Sequence, residues 1–207
     1  IKSQVLADGD RIRMGTGTTL KFSLQDSIEE SYQKRLYESA TRDTLTRAYN
    51  KKFFSERIIE EFSYSLRHNT VLSFVIMDID HFKSINDTHG HQAGDFVLKT
   101  LSEIIHKMIR NEDIFCRYGG EEFVVILRGI QEQGAFLFCE RVRKRIESSS
   151  FVYHETNIPV TLSLGYSTLY NKNFNNFDEL IRKADESLYQ AKRNGRNQTR
   201  PSIIQVL

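Results

Sequence analysis

The chain predicts an α+β fold, with a central, mainly antiparallel sheet flanked by helices in a ferredoxin-like or palm arrangement. Three observations carry this. Residues 72–79 form a nearly unbroken apolar run, as a central strand covered on both faces requires. Segments at 51–67, 93–110, 133–147 and 177–193 repeat apolar residues at helical spacing and alternate with the strands. Two short strand-like runs, 114–118 and 122–127, flank Gly119-Gly120 and predict a hairpin inside that alternation.

Residues 1–26 read differently from the rest. Val5 and Leu6, then Ile12 and Met14, then Leu20, Phe22 and Leu24 suggest short strands, and Asp8-Gly9-Asp10 a tight turn. Two or three strands are marginal alone in water, so this piece is expected to complete a sheet whose other strands lie elsewhere. The chain opens on Ile1 rather than Met, so an upstream segment is expected to have been cut away. Residues 27–42 predict a connector helix. Ser27 can cap it, Glu30 stands three residues on as in a capping box, and Ile28, Tyr32 and Leu36 share a side. That short stripe suits either pairing with a second copy or packing back on its own domain.

From residue 43 onward the α/β core follows. Asn50 is a cap for the helix at 51–67, whose Phe54, Ile58 and Phe62 face inward. The helix at 93–110 turns Val97, Leu101, Ile104, Ile105 and Met108 to the core, and that at 133–147 turns Ala135, Phe138, Cys139, Val142 and Ile146. A strand at 160–166 and the helix at 177–193 complete the set.

Composition narrows the function. Hydrophobic residues at 39% and charged residues at 27% describe an ordinary globular chain. With 29 basic against 27 acidic residues the net charge is only +2, which argues against nucleic acid as a partner. No apolar run approaches the ~20 residues of a membrane span, and no signal peptide opens the chain, so a soluble cytoplasmic segment is the simplest reading and one cut from an N-terminal anchor the other. Cys116 and Cys139 belong to no metal or redox spacing and read as buried reduced thiols. His81, His89 and His91 match no zinc pattern. Gly15-x-Gly17 lacks the third glycine of a dinucleotide-binding loop, its place being taken by Leu20.

The most informative feature is where acids fall. Asp78 and Asp80 end a buried strand, and Glu121 and Glu122 follow the Gly-Gly turn. A carboxylate at the end of a buried strand is costly unless a cation or hydrogen bonds compensate it. Two readings follow from the residues alone: turn and cap positions, or a hard-oxygen site for Mg²⁺ beside a phosphate.

Extended motifs decide between them. "DTLTRAYNKKFF" at 43–54, "MDIDHFKSINDTHGHQAGD" at 77–95, "RYGGEEF" at 117–123, "VTLSLGYS" at 160–167 and "ADESLYQAKRNGRN" at 184–197 occur in the order found in GGDEF-domain diguanylate cyclases. The resemblance runs from residue 43 to about 199, with the GGEEF form of the signature. It implies an enzyme that condenses two GTP into cyclic di-GMP. By that resemblance Asp78, the Ile79 carbonyl and Glu121 hold Mg²⁺, with Mn²⁺ an alternative. Glu121, Glu122 and Lys83 take catalytic roles, and Asn86 and Asp95 read guanine. The backbone at His81 and Phe82, with Lys83, Lys192 and Arg196, embraces the triphosphate, and Gly119 and Gly120 leave room for the ribose and α-phosphate. Arg110-x-x-Asp113 resembles the family's product-inhibition site, with Arg141 as the secondary arginine from a neighbouring domain. Chemistry supports the guanine assignment: Asp95 can accept from N1–H and the exocyclic amine, a donor pair adenine lacks.

The resemblance also implies a homodimer, because one site holds one GTP and the product is two-fold symmetric. Separately, "LADGDRIRMGTGTTLKF" resembles the last strands of a forkhead-associated (FHA) domain, which would place a phosphothreonine-peptide sensor upstream; a generic strand-rich tail is the other reading. The expected organisation is therefore 1–26 FHA-like strands, 27–42 connector helix and 43–207 cyclase domain. Departures from the family pattern are Arg47-Ala48 and Lys51-Lys52, both outside the implied site. A catalytically silent cyclic di-GMP receptor is the competing function.

Overall fold

The computed structural model describes residues 4–23 and 27–202. It divides into two compact units, Ile1–Ala40 and Thr41–Leu207. Leu24, read above as a strand residue, and the Ser27 side chain, read as a cap, lie outside what is described.

In the first unit, β1 (Arg11–Met14) and β2 (Thr18–Lys21) form an antiparallel hairpin, and α1 spans Ser27–Thr41. The Asp8-Gly9 turn forms as expected, with Gly9 at φ +87° and its N–H donating to the Phe22 carbonyl. Val5 and Leu6 are a correction, since neither belongs to a strand. The chain there is taken up by a turn in which Asp10 accepts the Ala7 N–H at 2.8 Å.

The second unit contains α2 (Lys51–His68), β3 (Leu72–Ile79), α3 (Phe82–His89), α4 (His91–His106), β4 (Ile114–Arg117) and β5 (Glu122–Arg128). It continues with α5 (Glu132–Glu147), the small hairpin β6 (Val152–Tyr153) and β7 (Thr156–Asn157), β8 (Leu162–Leu169), α6 (Phe177–Arg193) and β9 (Thr199–Pro201). The main sheet has the order β4-β5-β3-β8-β9, antiparallel except for the β8–β9 pair. This is the α+β, mainly antiparallel architecture expected. Every residue of β3 is buried, because side chains on both faces meet helices. Val75, Met77 and Ile79 join a core with Val97, Leu101, Val142 and Ile146 of α4 and α5. Phe74 and Ile76 join another with Phe54, Ile58, Leu180, Ala184 and Leu188 of α2 and α6. The Asn50 cap forms, its Oδ1 accepting the Phe53 N–H at 2.9 Å.

Other boundaries differ from expectation. The predicted helix at 93–110 begins at His91 and ends at His106, and a separate helix, α3, precedes it across Gly90 at φ +86°. Only Phe82 and Ile85 of α3 are buried, too few for a helical period to show in eight residues. The strand predicted at 160–166 runs from 162 to 169, and β9 and the β6–β7 hairpin were not expected. α6 lies directly on β8: a Cβ at Gly165 would fall 2.2 Å from the Ala184 carbonyl oxygen and 2.3 Å from the Leu188 nitrogen. This close approach brings the C-terminal turn of α6 to the end of β3.

Candidate active site

Asp78, next to last in β3, pairs across the ladder with Glu122 of β5. Side chains of directly opposed residues share a face, so both carboxylates project on the side covered by α2 and α6. Lys192, in the last turn of α6, sets its Nζ 2.7 Å from Asp78 Oδ2. Glu121 lies between the Gly119-Gly120 turn and β5, and its carbonyl faces the Ile79 N–H at 3.4 Å. Burial lifts Asp78 to a pKa of about 6; the Lys192 hydrogen bond and charge pull it down, while Glu121 and Glu122 push it up. Burial also raises Glu121, opposed by Lys192 and reinforced by Glu122.

Three carboxylates thus face one ammonium, leaving two negative charges uncompensated when all are ionised. Among the described residues no three His, Cys, Asp or Glu side chains converge to enclose a metal ion. The donor set implied by the sequence, Asp78 and Glu121 with the Ile79 carbonyl, holds only two side chains. Mg²⁺ is usually held by one or two carboxylates and completes its shell with water and substrate phosphate, so these residues fit it.

Asp80, the other acid of the pair, is fully engaged by protein. Ser163 Oγ donates to Oδ1 at 2.6 Å, and Thr161 Oγ1 and the Asn197 N–H donate to Oδ2 at 2.7 and 3.0 Å. The two compensations that the sequence left open are therefore divided: a cation meets Asp78 and hydrogen bonds meet Asp80.

The next turn faces the same end of the sheet. His81 adopts a left-handed conformation (φ +57°) and begins α3 without a side-chain cap. The first amides of α3, around Phe82 and Lys83, therefore point outward at the positive end of the helix dipole, a ready site for phosphate oxygens. Lys83 is exposed on that turn, and Arg196 is exposed at φ +62° just past α6.

Asn86 and Asp95 lie on neighbouring helices, α3 and α4. Gly94 brings the helices together: a Cβ there would fall 2.0 Å from Asn86 Oδ1 and 3.1 Å from Phe82. Asn86 is partly buried and Asp95 exposed. Gly94 escaped the sequence reading, although a glycine in the first turn of a helix, where glycine is disfavoured, was the signal for a close approach.

Arg117 also escaped it. Its guanidinium donates twice to the Gly120 carbonyl, at 2.7 and 3.1 Å, and pairs with Asp43 at 3.2 Å. Asp43 in turn accepts from the Thr46 N–H and hydroxyl at 2.9 and 2.7 Å. Burial would raise the Asp43 pKa, but the Thr46 and Arg117 bonds outweigh it and hold the carboxyl below its ordinary value. The Gly-Gly turn is thereby clamped to the loop ahead of α2. A Cβ at Gly119 would approach Glu122 Oε2 to 2.7 Å, whereas Gly120 faces open space.

At the other end of β4, the Arg110 N–H donates to Asp113 Oδ2 at 3.0 Å and its carbonyl receives the Asp113 N–H. Asp113 is buried, its pKa raised chiefly by desolvation, and its Oδ1 has no hydrogen-bond partner. The Arg110 side chain is largely exposed. Both residues line a cleft of about 190 Å³ with Arg42, Tyr49, His106 and Phe115. Arg141 of α5 donates to the Met108 carbonyl at 3.3 Å. The implied inhibitory residues thus form a second locale, separated from the Gly-Gly turn by the length of β4. Cys116 and Cys139 are buried free thiols, the former pushed by burial up to about 12.

Comparison with known proteins converges on one family. Residues 40–198 match the model described as the diguanylate cyclase GGDEF domain. Diguanylate cyclase A of Treponema denticola is 40% identical over 166 residues, covering 79% of this chain and 44% of that protein. The probable diguanylate cyclase DgcT of Escherichia coli is 43% identical over 161 residues, covering 76% and 35%. The chain therefore spans less than half the length of these relatives. Among solved structures, the coiled coil and GGDEF domain of DgcB from Caulobacter crescentus in complex with c-di-GMP superposes with a TM-score of 0.78 at 27% identity, over 83% of this chain and 91% of that one. The active GGEEF domain of a diguanylate cyclase from Vibrio cholerae superposes with a TM-score of 0.71 at 32% identity, over 75% and 98%. The motifs and these matches agree that the chain belongs to the GGDEF-domain diguanylate cyclase family.

Proposed function

We propose that this domain is an active diguanylate cyclase, joining two GTP into cyclic di-GMP with release of two pyrophosphates. The observation that carries the reading is the convergence of Asp78, Glu121, Glu122 and Lys192 at the end of β3. Asp78, Glu121 and the Ile79 carbonyl hold Mg²⁺ or Mn²⁺, which when bound polarises the α-phosphate and lowers the cost of ionising the attacking hydroxyl. In the reaction the 3′-hydroxyl oxygen of one GTP bonds to the α-phosphorus of the other, and the α–β bridging bond breaks in line.

The protein's own residues position and stabilise. Lys192, Arg196, Lys83 and the amides at the start of α3 bind the triphosphate. Lysine acts there as a point charge, while Arg196 can donate in a bidentate manner. Asn86 and Asp95 select guanine. Glu122, directly opposite Asp78, orients nucleotide and metal, and Glu121 accepts the proton of the attacking hydroxyl. Two domains face each other across a two-fold axis, since each holds one nucleotide. The silent-receptor alternative is disfavoured because the chain retains Asp78, Lys83, Asn86, Asp95, Glu121, Lys192 and Arg196, some of which degenerate domains lose.

Arg110 and Asp113 form the product-inhibition site, supported by the cleft that both residues line and by the exposed Arg110 guanidinium. Arg141 supplies the second arginine to a neighbouring domain. The segments 1–26, 27–42 and 43–207 serve as FHA-like strands, connector and cyclase. In support, all eight residues of β1 and β2 are exposed, as befits strands from a larger sandwich. A phosphopeptide on that sandwich would alter the geometry of the dimer. Equal cyclase rates of the full-length protein with and without phosphothreonine peptide would reject this.

The deciding experiment incubates purified protein with Mg²⁺ and GTP, ATP or both, and identifies products by mass. Cyclic di-GMP from GTP alone is expected; release of no pyrophosphate, with cyclic di-GMP still bound, would favour the receptor.

A further inference from the structure

Resting on the reading of Arg196 as a phosphate contact, we propose that Asp80 is a positioning residue that sets Arg196 at the nucleotide site, and not a second metal ligand as Asp78-x-Asp80 spacing suggests. Asp80 is 4% exposed, and its two oxygens receive three donors: Ser163 Oγ, Thr161 Oγ1 and the Asn197 N–H. Its own N–H donates to the Thr161 carbonyl at 3.0 Å. A carboxylate so surrounded has little capacity left for a cation.

The Asn197 bond matters because of the backbone it restrains. Gly195, Arg196 and Asn197 are three successive residues at positive φ, +104°, +62° and +44°. Left-handed conformation is disfavoured for arginine, and persists only where surrounding bonds impose it. Several bonds do so. Gln198 Nε2 donates to the carbonyls of Ala191, Asn194 and Arg196, which ties the turn to its own helix. Asn197 Oδ1 accepts from Arg143 at 2.9 Å and its Nδ2 donates to Glu147 at 2.7 Å, which ties it to α5. Asp80 ties it to the end of β3, two residues from Asp78. Of these ties, the Asp80 carboxylate is the one that joins the backbone next to Arg196 to the end of β3, beside the acidic cluster.

The shape of the network makes a sharp test. Asparagine at 80 can keep its oxygen toward Thr161 and the Asn197 N–H while its amide donates to the Ser163 hydroxyl, which accepts as readily as it donates. A positioning role thus survives Asp80→Asn, and a metal-ligand role does not. The readout is affinity for 3′-deoxy-GTP with Mg²⁺ by calorimetry, which requires no turnover. Expected are a loss of about tenfold for Asp80→Ala, the equivalent of one hydrogen bond to a charged group, and about threefold or less for Asp80→Asn with an unchanged Mg²⁺ requirement. Asp80→Ala made in an Arg196→Ala background should cost little more than Arg196→Ala alone. Equal losses for Asp80→Asn and Asp80→Ala with a raised Mg²⁺ requirement, or fully additive losses in the double variant, would overturn the proposal. If Arg196→Ala alone leaves affinity unchanged, it is the phosphate assignment that fails, and the proposal with it. Should Asp80→Ala not fold, the Asp80→Asn comparison decides by itself.

Discussion

Lys192 holds its ammonium 2.7 Å from Asp78, so the acid that ends the central strand meets a cation delivered by the last turn of the helix packed above it. Even with that partner, burial and the neighbouring Glu121 and Glu122 leave Asp78 with a pKa of about 6. The fold therefore carries an electrostatic load at this point, which a divalent cation bound there would relieve.

The sign of the pH effect follows. The folded-state pKa of about 6 lies above the ordinary carboxyl value of 3.8, so the folded protein binds the proton more tightly than the unfolded chain. The contribution of Asp78 to stability is then most favourable below about pH 4, falls between about 4 and 6, and stays unfavourable above. At roughly 1.4 kcal/mol per pH unit, this amounts to about 3 kcal/mol. Asp78→Asn should abolish cyclase activity yet raise the thermal midpoint at pH 8 without divalent cation, and remove the rise in midpoint that Mg²⁺ with GTP produces in the parent. A lower midpoint at pH 8 would contradict this account.

Gly94→Ala should impair guanine binding. The new methyl would fall 2.0 Å from Asn86 Oδ1, so the amide must swing away. Loss of one hydrogen bond predicts a rise in KM for GTP of about tenfold, with a smaller change in kcat. In an Asn86→Ala background the same substitution should cost far less, since the group displaced is already gone.

Arg117→Ala should loosen the Gly-Gly turn. It removes two donors to the Gly120 carbonyl and the ion pair to Asp43. A cost of about 1.5–3 kcal/mol in denaturant unfolding is expected, with kcat reduced more than affinity for 3′-deoxy-GTP. A cycle with Asp43→Ala measures how much passes through the pair.

Arg110→Ala should relieve product inhibition while leaving the initial rate intact, because Arg110 lies at the end of β4 remote from the Gly-Gly turn. Progress curves with added cyclic di-GMP check this, as does loss of the thermal shift that cyclic di-GMP produces in the parent protein.

Much of the molecule is legible in the sequence because burial writes a period into it. The eight buried residues of β3, the inward stripes of α2 and α5 and the Gly-Gly hairpin all stand out as pattern in the bare chain. Asn50 announces its helix and caps it. α3 stays hidden because two buried side chains in eight residues make no period, and β9 because three residues ending in Pro201 resemble a tail until β8 pairs with them. Val5 and Leu6 are the opposite case: apolar residues that no strand takes up.

The sequence by itself determined the longer elements, their order and the family, since these depend on local periodicity and contiguous motifs. Only the tertiary structure showed what compensates Asp78 and what compensates Asp80, two acids of the same type at the same strand end. Their fates are set by what distant segments bring to them: Lys192 from α6 to the first, and Thr161, Ser163 and the Asn197 amide to the second. The physical reason is that compensation of a buried charge is a through-space property, decided by packing such as the contact of Gly165 with α6, and spacing along the chain carries no record of it.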